Sequence, residues 1–154
     1  MNAPASHKLE CTFLPILSSR NQGWENILVE QFQHPAGEGR MCYGDEHSIC
    51  LSLAPRPVSL LQTQGDKTRM GLYAKGDFCI TPAQMPFFCR WDSDDRLLQI
   101  RITDRFMAQV ATEALSIDPA RLEVIPTFRT RDPQLEAIAM LILTELKQEN
   151  LGSR

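Results

Sequence analysis

Chemistry in this chain would have few residues to work with. Its three histidines, His7, His34 and His47, lie in an N-terminal tail, in a turn and on the apolar face of the strand-like segment HSICLSLAP. A catalytic metal needs three or four convergent ligands and an open position, and no such set can be assembled from this spacing. Cys11, Cys42, Cys50, Cys79 and Cys89 are odd in number and include no Cys-x-x-Cys pair. Free cysteines in apolar surroundings act as small hydrophobes, so neither a structural disulfide nor a zinc site is expected. There is no Gly-x-Ser-x-Gly elbow, no cysteine with an obvious nearby histidine and no phosphate-cradling glycine loop. The carboxylates are scattered over turns and helices, without an evident acid/base couple. The expectation is a protein with no catalytic residues, no metal and no cofactor.

The elements that would carry these residues belong to one domain. A chain of 154 residues can bury a real core once but not comfortably twice. The formal net charge is −3, with no basic cluster, which argues against direct nucleic-acid binding by this chain. No run approaches a membrane span and MNAPASHKLE lacks the apolar centre of a signal peptide. A cytoplasmic location with no membrane contact is expected.

From about residue 25 to 102 the signals are short strands parted by turns. WENILVEQFQ sets Ile27, Val29 and Gln31 against Leu28, Glu30 and Phe32 before HPAGEG breaks it. HSICLSLAP places His47, Ile49, Leu51 and Leu53 on one face and Ser48, Cys50 and Ser52 on the other. VSLLQTQ and KTRMGLYA flank a Gly65-Asp66 hairpin turn. FCIT, PFFCRWD and RLLQIRIT follow, so six or seven strands at this spacing predict an all-β sandwich or barrel. Beyond Thr103 the period becomes helical, with Asp104 as a cap for a helix over 105 to about 115. LEVIPTF adds a candidate strand. Asp132-Pro133 then opens a long helix that ends near Gly152.

The stretch KGDFCITPAQMPFFCRWD, residues 75–92, makes a more specific comparison possible. Together with HSICLSLAP, LLQIRITDRFMAQVA and the final helix, it resembles the N-terminal effector-sensing domain of AraC-type bacterial transcription regulators. The resemblance covers most of residues 20–154 and implies a mainly β, cupin-like double-stranded β-helix (a jelly-roll barrel) followed by C-terminal α-helices. It divides the chain into an arm at 1–20, a barrel at 21–130 and a dimerisation helix at 132–151. The second cupin signature, Gly-x5-Pro-x-Gly-x2-His, is met by Gly76 and Pro82, while Gln84 and Phe87 stand at the second glycine and the histidine. In the first signature His47 remains, and Ile49 falls where a second histidine would. The metal site is therefore expected to be lost, leaving an apolar and aromatic interior.

If the cupin register holds, Phe87, Cys89 and Trp91 point inward, either packing the core or stacking on a ligand. His47 is either a hydrogen-bonded core histidine or a pocket residue. Arg101 pairs with a ligand carboxylate or in a surface salt bridge. Tyr73 and Trp24 are pocket or lid candidates by size. The candidate pocket is thus His47, Ile49, Tyr73, Phe87, Cys89, Trp91 and Arg101.

The last helix carries apolar residues on two sides. Leu135, Ile138, Ala139, Ile142 and Leu146 form a stripe to cover the barrel; Ala137, Met140, Leu141 and Thr144 form a second one for a partner helix. The alternative is a helix sunk in its own domain. The expected whole is a sensor that binds a small organic effector and forms a homodimer. DNA would be bound only through helix-turn-helix motifs that the resemblance places beyond Arg154. Two rivals remain: a stand-alone non-metal cupin enzyme, such as an isomerase or lyase, and a purely structural dimerisation module. An enclosed cavity above roughly 300 Å³ favours a ligand site.

Overall fold

The computed structural model describes residues 14–152; His7 and Cys11 lie outside them. Ten strands run in chain order: β1 (Leu17–Ser18), β2 (Ile27–His34), β3 (Gly37–Met41), β4 (Glu46–Ser52), β5 (Val58–Gln64), β6 (Lys67–Tyr73), β7 (Phe78–Thr81), β8 (Phe87–Trp91), β9 (Asp95–Thr103) and β10 (Thr127–Thr130). Helix α1 (Asp104–Glu113) follows β9, and helix α2 (Pro133–Gly152) ends the described chain. The strands make a six-stranded sheet in the order β1-β2-β9-β4-β7-β10 and a four-stranded sheet in the order β3-β8-β5-β6. Every pairing is antiparallel. Central strands β2-β9-β4-β7 facing β3-β8-β5-β6 have the order of a jelly roll.

Several boundaries differ from the sequence-based ones. Residues 17–18 belong to the larger sheet, pairing with Gln31 and Glu30, so the arm does not extend to residue 20. The HPAGEG break is confined to Pro35 and Ala36, because Gly37 to Met41 pairs along β8. The late strand starts at Thr127, later than LEVIPTF suggested. Helix α1 is capped by Thr103, whose Oγ1 accepts from the Phe106 amide at 3.1 Å, and Asp104 is its first residue. The Asp132 cap does form: its Oδ1 accepts from the amides of Gln134 at 2.9 Å and Leu135 at 3.3 Å.

Two clusters hold the molecule together. On the outer face of the larger sheet, Val29, Leu51, Phe78, Leu98 and Ile100 pack with Ala139, Leu143 and Leu146 of α2. Between the sheets, Val58, Leu60, Tyr73, Cys79 and Trp91 form a second cluster with Cys50 and Cys89 at its border. The helix is tied down at its start by a charged network. Asp77 is 6% exposed. It accepts from the Ala74 amide (2.8 Å) and faces Arg131 (3.2 Å) and Arg129 (3.7 Å), while Arg131 also reaches Glu136 of α2 (3.3 Å) and the Lys75 carbonyl.

Packing corrects the assignment of the α2 stripes. Ala139, Leu143 and Leu146 are buried and Met140 packs against the core, whereas Ile138 is 55% and Leu141 70% exposed. Ile138 therefore leaves the barrel stripe and Met140 leaves the partner stripe. Ile138 and Met140 lie 200° apart around the helix, on opposite borders of the buried stripe, so a rotation of a few tens of degrees brings one in as it turns the other out, and sequence periodicity does not fix that angle.

Candidate functional site

The inward face of each strand follows from the register. On β4 the outer cluster takes Leu51, with Ile49 packed against it; alternation then turns Ser48, Cys50 and Ser52 inward. Their partners on β9 are Arg101, Gln99 and Leu97, and on β7 Thr81 and Cys79 face Ser48 and Cys50. From the smaller sheet, Leu60 and Gln62 of β5 stand opposite Trp91 and Cys89 of β8.

These residues line a partly open cavity of about 90 Å³. Its wall includes Tyr73, Phe87, Cys89 and Trp91, four of the seven expected pocket residues, together with Phe32, His34, Met41, Tyr43, Cys50, Gln62, Cys79, Asp95 and Gln99. Polar groups on this wall are linked. Tyr73 Oη donates to Gln62 Oε1 at 2.5 Å, and Gln62 Nε2 donates to Cys79 Sγ at 3.5 Å. Opposite, Gln99 Nε2 donates to Tyr43 Oη at 2.9 Å and lies 3.8 Å from Cys50 Sγ. Trp91 donates its indole N–H to the Pro35 carbonyl at 2.7 Å, and its ring lies 4.6 Å from that of His34. A second, open and polar depression of about 620 Å³ lies beside Gln33, Arg56 and residues 93–96, and shares Asp95 with the cavity.

The other three expected pocket residues lie elsewhere. His47 shares its face with Ile49, on the helix side of the sheet; its Nδ1 accepts from the Ala83 amide at 2.9 Å, so Nε2 carries the proton and donates to Asp104 at 2.9 Å. Ile49 packs in the outer cluster. Arg101 is held by Glu46 through two bonds of 2.8 and 2.9 Å, with its guanidinium 4.1 Å from the Tyr43 ring centre. Trp24, a lid candidate, packs against the outer cluster and donates to Glu149 of α2 at 3.1 Å.

The inversion on β4 has a physical cause. Both faces of the larger sheet are covered, and the more apolar face was claimed by the helix. The inward positions of HSICLSLAP are therefore Ser48 and Cys50, not His47 and Ile49. With Phe87 facing them, these residues do not fit a cupin metal, and among the described residues no three His, Cys, Asp or Glu side chains gather to hold an ion.

Burial tunes the titratable groups of the wall. It pushes the Asp95 carboxyl above its ordinary value and the His34 imidazole below. The Cys50 thiol is raised, chiefly because it donates to Cys79, and the Cys79 thiol is lowered by that same bond and by Gln62. Burial raises Tyr73 and Cys89. Sequence reading missed Cys50, Cys79, Gln62, Gln99, His34 and Asp95. The available signal was the cross-strand register: once Cys89 is inward, its partner Gln62 is too.

Neither a protein-family profile nor a curated protein matches the sequence. Among solved structures, the chain is similar to the Schizosaccharomyces pombe Cnp3 cupin domain at 13% identity and TM-score 0.48, over 65% of this chain and 69% of that one. A cupin-2 domain protein from Shewanella frigidimarina shows 10% identity and TM-score 0.44, over 66% and 93%. A predicted oxalate decarboxylase from Thermotoga maritima shows 17% identity and TM-score 0.45, over 59% and 78%. No activity is transferred from any of them. No helix among the described residues is long and apolar enough to cross a membrane.

Proposed function

We propose that this chain is the small-molecule-sensing and dimerisation domain of an AraC-type transcription regulator. In this reading it acts in the cytoplasm without catalysis, and DNA is contacted by a helix-turn-helix domain that follows α2 in such regulators. The observation that carries the reading is the division of α2. One side is used fully by the barrel, while Ala137, Ile138, Leu141 and Thr144 leave an apolar strip in water. Soluble monomers rarely keep such a strip, and a second copy of the same helix covers it in a two-fold contact. Ala137 and Thr144 are small enough to let two helices approach closely.

The lining of the cavity supports the sensing half, while its size falls short of what a ligand site of ordinary volume needs. Its aromatic rings and convergent amides suit an organic molecule with one or two polar groups. Its volume of about 90 Å³ is well below the roughly 300 Å³ of drug-sized sites, so the effector has few heavy atoms unless side chains such as Phe87 and Met41 move. That small volume also favours a second reading, a dimerisation module whose barrel is filled by its own side chains. An enzyme of the isomerase or lyase type would have to draw on His34 and Asp95, which are register partners on the cavity wall.

Leu141→Glu places a charge in the proposed contact. Since Leu141 is 70% exposed in the single chain, the variant is expected to keep its circular dichroism and melting behaviour while sedimenting as a monomer. An unmodified chain that sediments as a monomer at high micromolar concentration overturns the dimer. A metabolite panel read by melting temperature and Trp91 fluorescence tests sensing, and no response from any small metabolite favours the filled-barrel reading.

A further inference from the structure

The barrel interior gathers three thiols, and two of them are placed to react with each other. Cys50 and Cys79 are direct partners on the antiparallel pair β4–β7, and both line the cavity. Opposed Cα atoms in such a pair are about 4.5–5.5 Å apart, within the range of about 4.4–6.8 Å that a disulfide spans. Gln62 Nε2 donates to Cys79 Sγ at 3.5 Å, and Tyr73 fixes that amide by donating to its oxygen. Gln99 Nε2 and Ser48 Oγ lie 3.8 and 3.7 Å from Cys50 Sγ. The shortest of these contacts thus aims a donor, held in place by Tyr73, at Cys79, as a thiolate requires. Cys89 lies on the opposite sheet, and the Asp95 carboxyl and Tyr73 hydroxyl complete the titratable surroundings.

We infer that Cys79 is a modification site for small hydroperoxides, and that Cys50 resolves the product into a disulfide inside the barrel. The Cys79 thiolate attacks one peroxide oxygen and the O–O bond breaks. Cys79 becomes a sulfenic acid, and the departing hydroxide takes up the proton that the thiol had released. The Cys50 sulfur then attacks the Cys79 sulfur, giving its proton to the leaving hydroxyl, and water departs as the S–S bond forms. Two thiols lose two electrons in all, and one hydrogen peroxide becomes two waters.

The dimensions select the oxidant. A cavity needs about 10–15 Å³ of such space to hold one water molecule, so one of about 90 Å³ admits hydrogen peroxide and excludes a tripeptide disulfide such as oxidised glutathione. Oxidation also has a route outward. Leu51 and Phe78 stand next to the two cysteines on the same strands and belong to the cluster beneath α2. The chemistry goes beyond effector sensing and proceeds whether or not an organic molecule ever binds.

The test treats the full chain with hydrogen peroxide under native conditions and maps the cysteines by mass spectrometry. The expected product joins Cys50 to Cys79, forms unchanged in Cys42→Ser, whose cysteine lies outside the cavity wall, and appears at least about tenfold more slowly with oxidised glutathione, because access limits thiol reactivity. Cys50→Ser is expected to stop at a Cys79 sulfenic acid that dimedone captures. The inference is overturned if peroxide modifies Cys42 or Cys11 while Cys50 and Cys79 stay reduced, or if Cys79 pairs with Cys89. Mapping of the unmodified protein decides the matter even if a serine variant fails to fold. A metabolite-induced melting shift in peroxide-treated protein that has formed no disulfide would remove this inference and leave effector sensing standing. A disulfide without any such shift would do the reverse.

Discussion

The two faces of the larger sheet are made by the same strands and have different chemistry. The outer face presents Val29, Leu51, Phe78, Leu98 and Ile100 to a helix that returns Ala139, Leu143 and Leu146. The inner face presents Cys50, Ser52, Cys79 and Gln99 to a cavity, with Ser48 turned the same way beside it. Apolar side chains without hydrogen-bonding needs can be packed to crystal-like density, and the core of the outer face is made of these. Buried amides, hydroxyls and thiols must find partners, so the inner face is organised by hydrogen bonds and keeps unfilled space. The sheet separates a face that supplies stability from one that retains reactive groups.

The sharpest test of that division truncates one residue on each face. Leu146 is completely buried in the outer cluster, so Leu146→Ala should cost about 2–5 kcal/mol in denaturant unfolding. Ser48→Ala on the inner face removes a hydroxyl whose neighbours, Gln99 and Cys50, sit at 3.5 and 3.7 Å. Such long contacts should cost under about 1 kcal/mol. Equal losses at the two positions would break the comparison.

Next in size is the link between sheet and helix. Gly76 has φ +97°, and a Cβ there would meet Arg131 at 2.6 Å and Glu136 at 2.7 Å. Gly76→Ala therefore strains the turn and pushes apart the ion network that anchors α2 beside Asp77. A loss of about 1–3 kcal/mol is expected from chemical denaturation. An unchanged midpoint would mean that the outer cluster alone holds the helix.

The inner face should show itself in the pH dependence of stability. Asp95 has its folded value raised above 3.8 by burial. Its contribution is fully present below the unfolded value and is lost as pH rises through the folded one. His34 has its folded value lowered from 6.5 by burial, so stability falls as pH drops below about 6.5 toward the folded value. Asp95→Asn should flatten the acidic part of the profile without altering the limb near pH 6.5. The outer apolar cluster contributes no such slope.

The separation of the faces also explains what could be read in advance. The strands, the Gly65-Asp66 hairpin and the Asp132-Pro133 helix start were legible because each depends on local pattern or turn chemistry. Phe87, Cys89 and Trp91 were legible because one register fixes all three. His47 and Ile49 were misplaced because alternation shows that a strand has two faces, not which one meets the cavity. A helix arriving some ninety residues later decides that. Met140 and Ile138 exchanged roles for a related reason, since the rotation of α2 is set by how it seats on the sheet.

The smallest expected effect concerns the turn between β7 and β8, where the two faces meet. Ala83 donates its amide to the outward His47, and Phe87 begins the inward row of β8. Between them Gln84 has φ +65°, the left-handed conformation for which the cupin signature keeps a glycine. A side chain there costs about 1–2 kcal/mol relative to an unstrained backbone. Glycine removes that strain but adds freedom to the unfolded chain, which opposes part of the gain. Gln84→Gly should therefore stabilise the protein by about 0.5–1 kcal/mol, measured as a higher denaturant midpoint with an unchanged slope. The interior should be unaffected, because the turn geometry that aims Phe87 is retained. A loss of stability would show that the Gln84 side chain makes a contact worth more than the strain it imposes, and the turn would then belong to the packed face rather than to the boundary between the two.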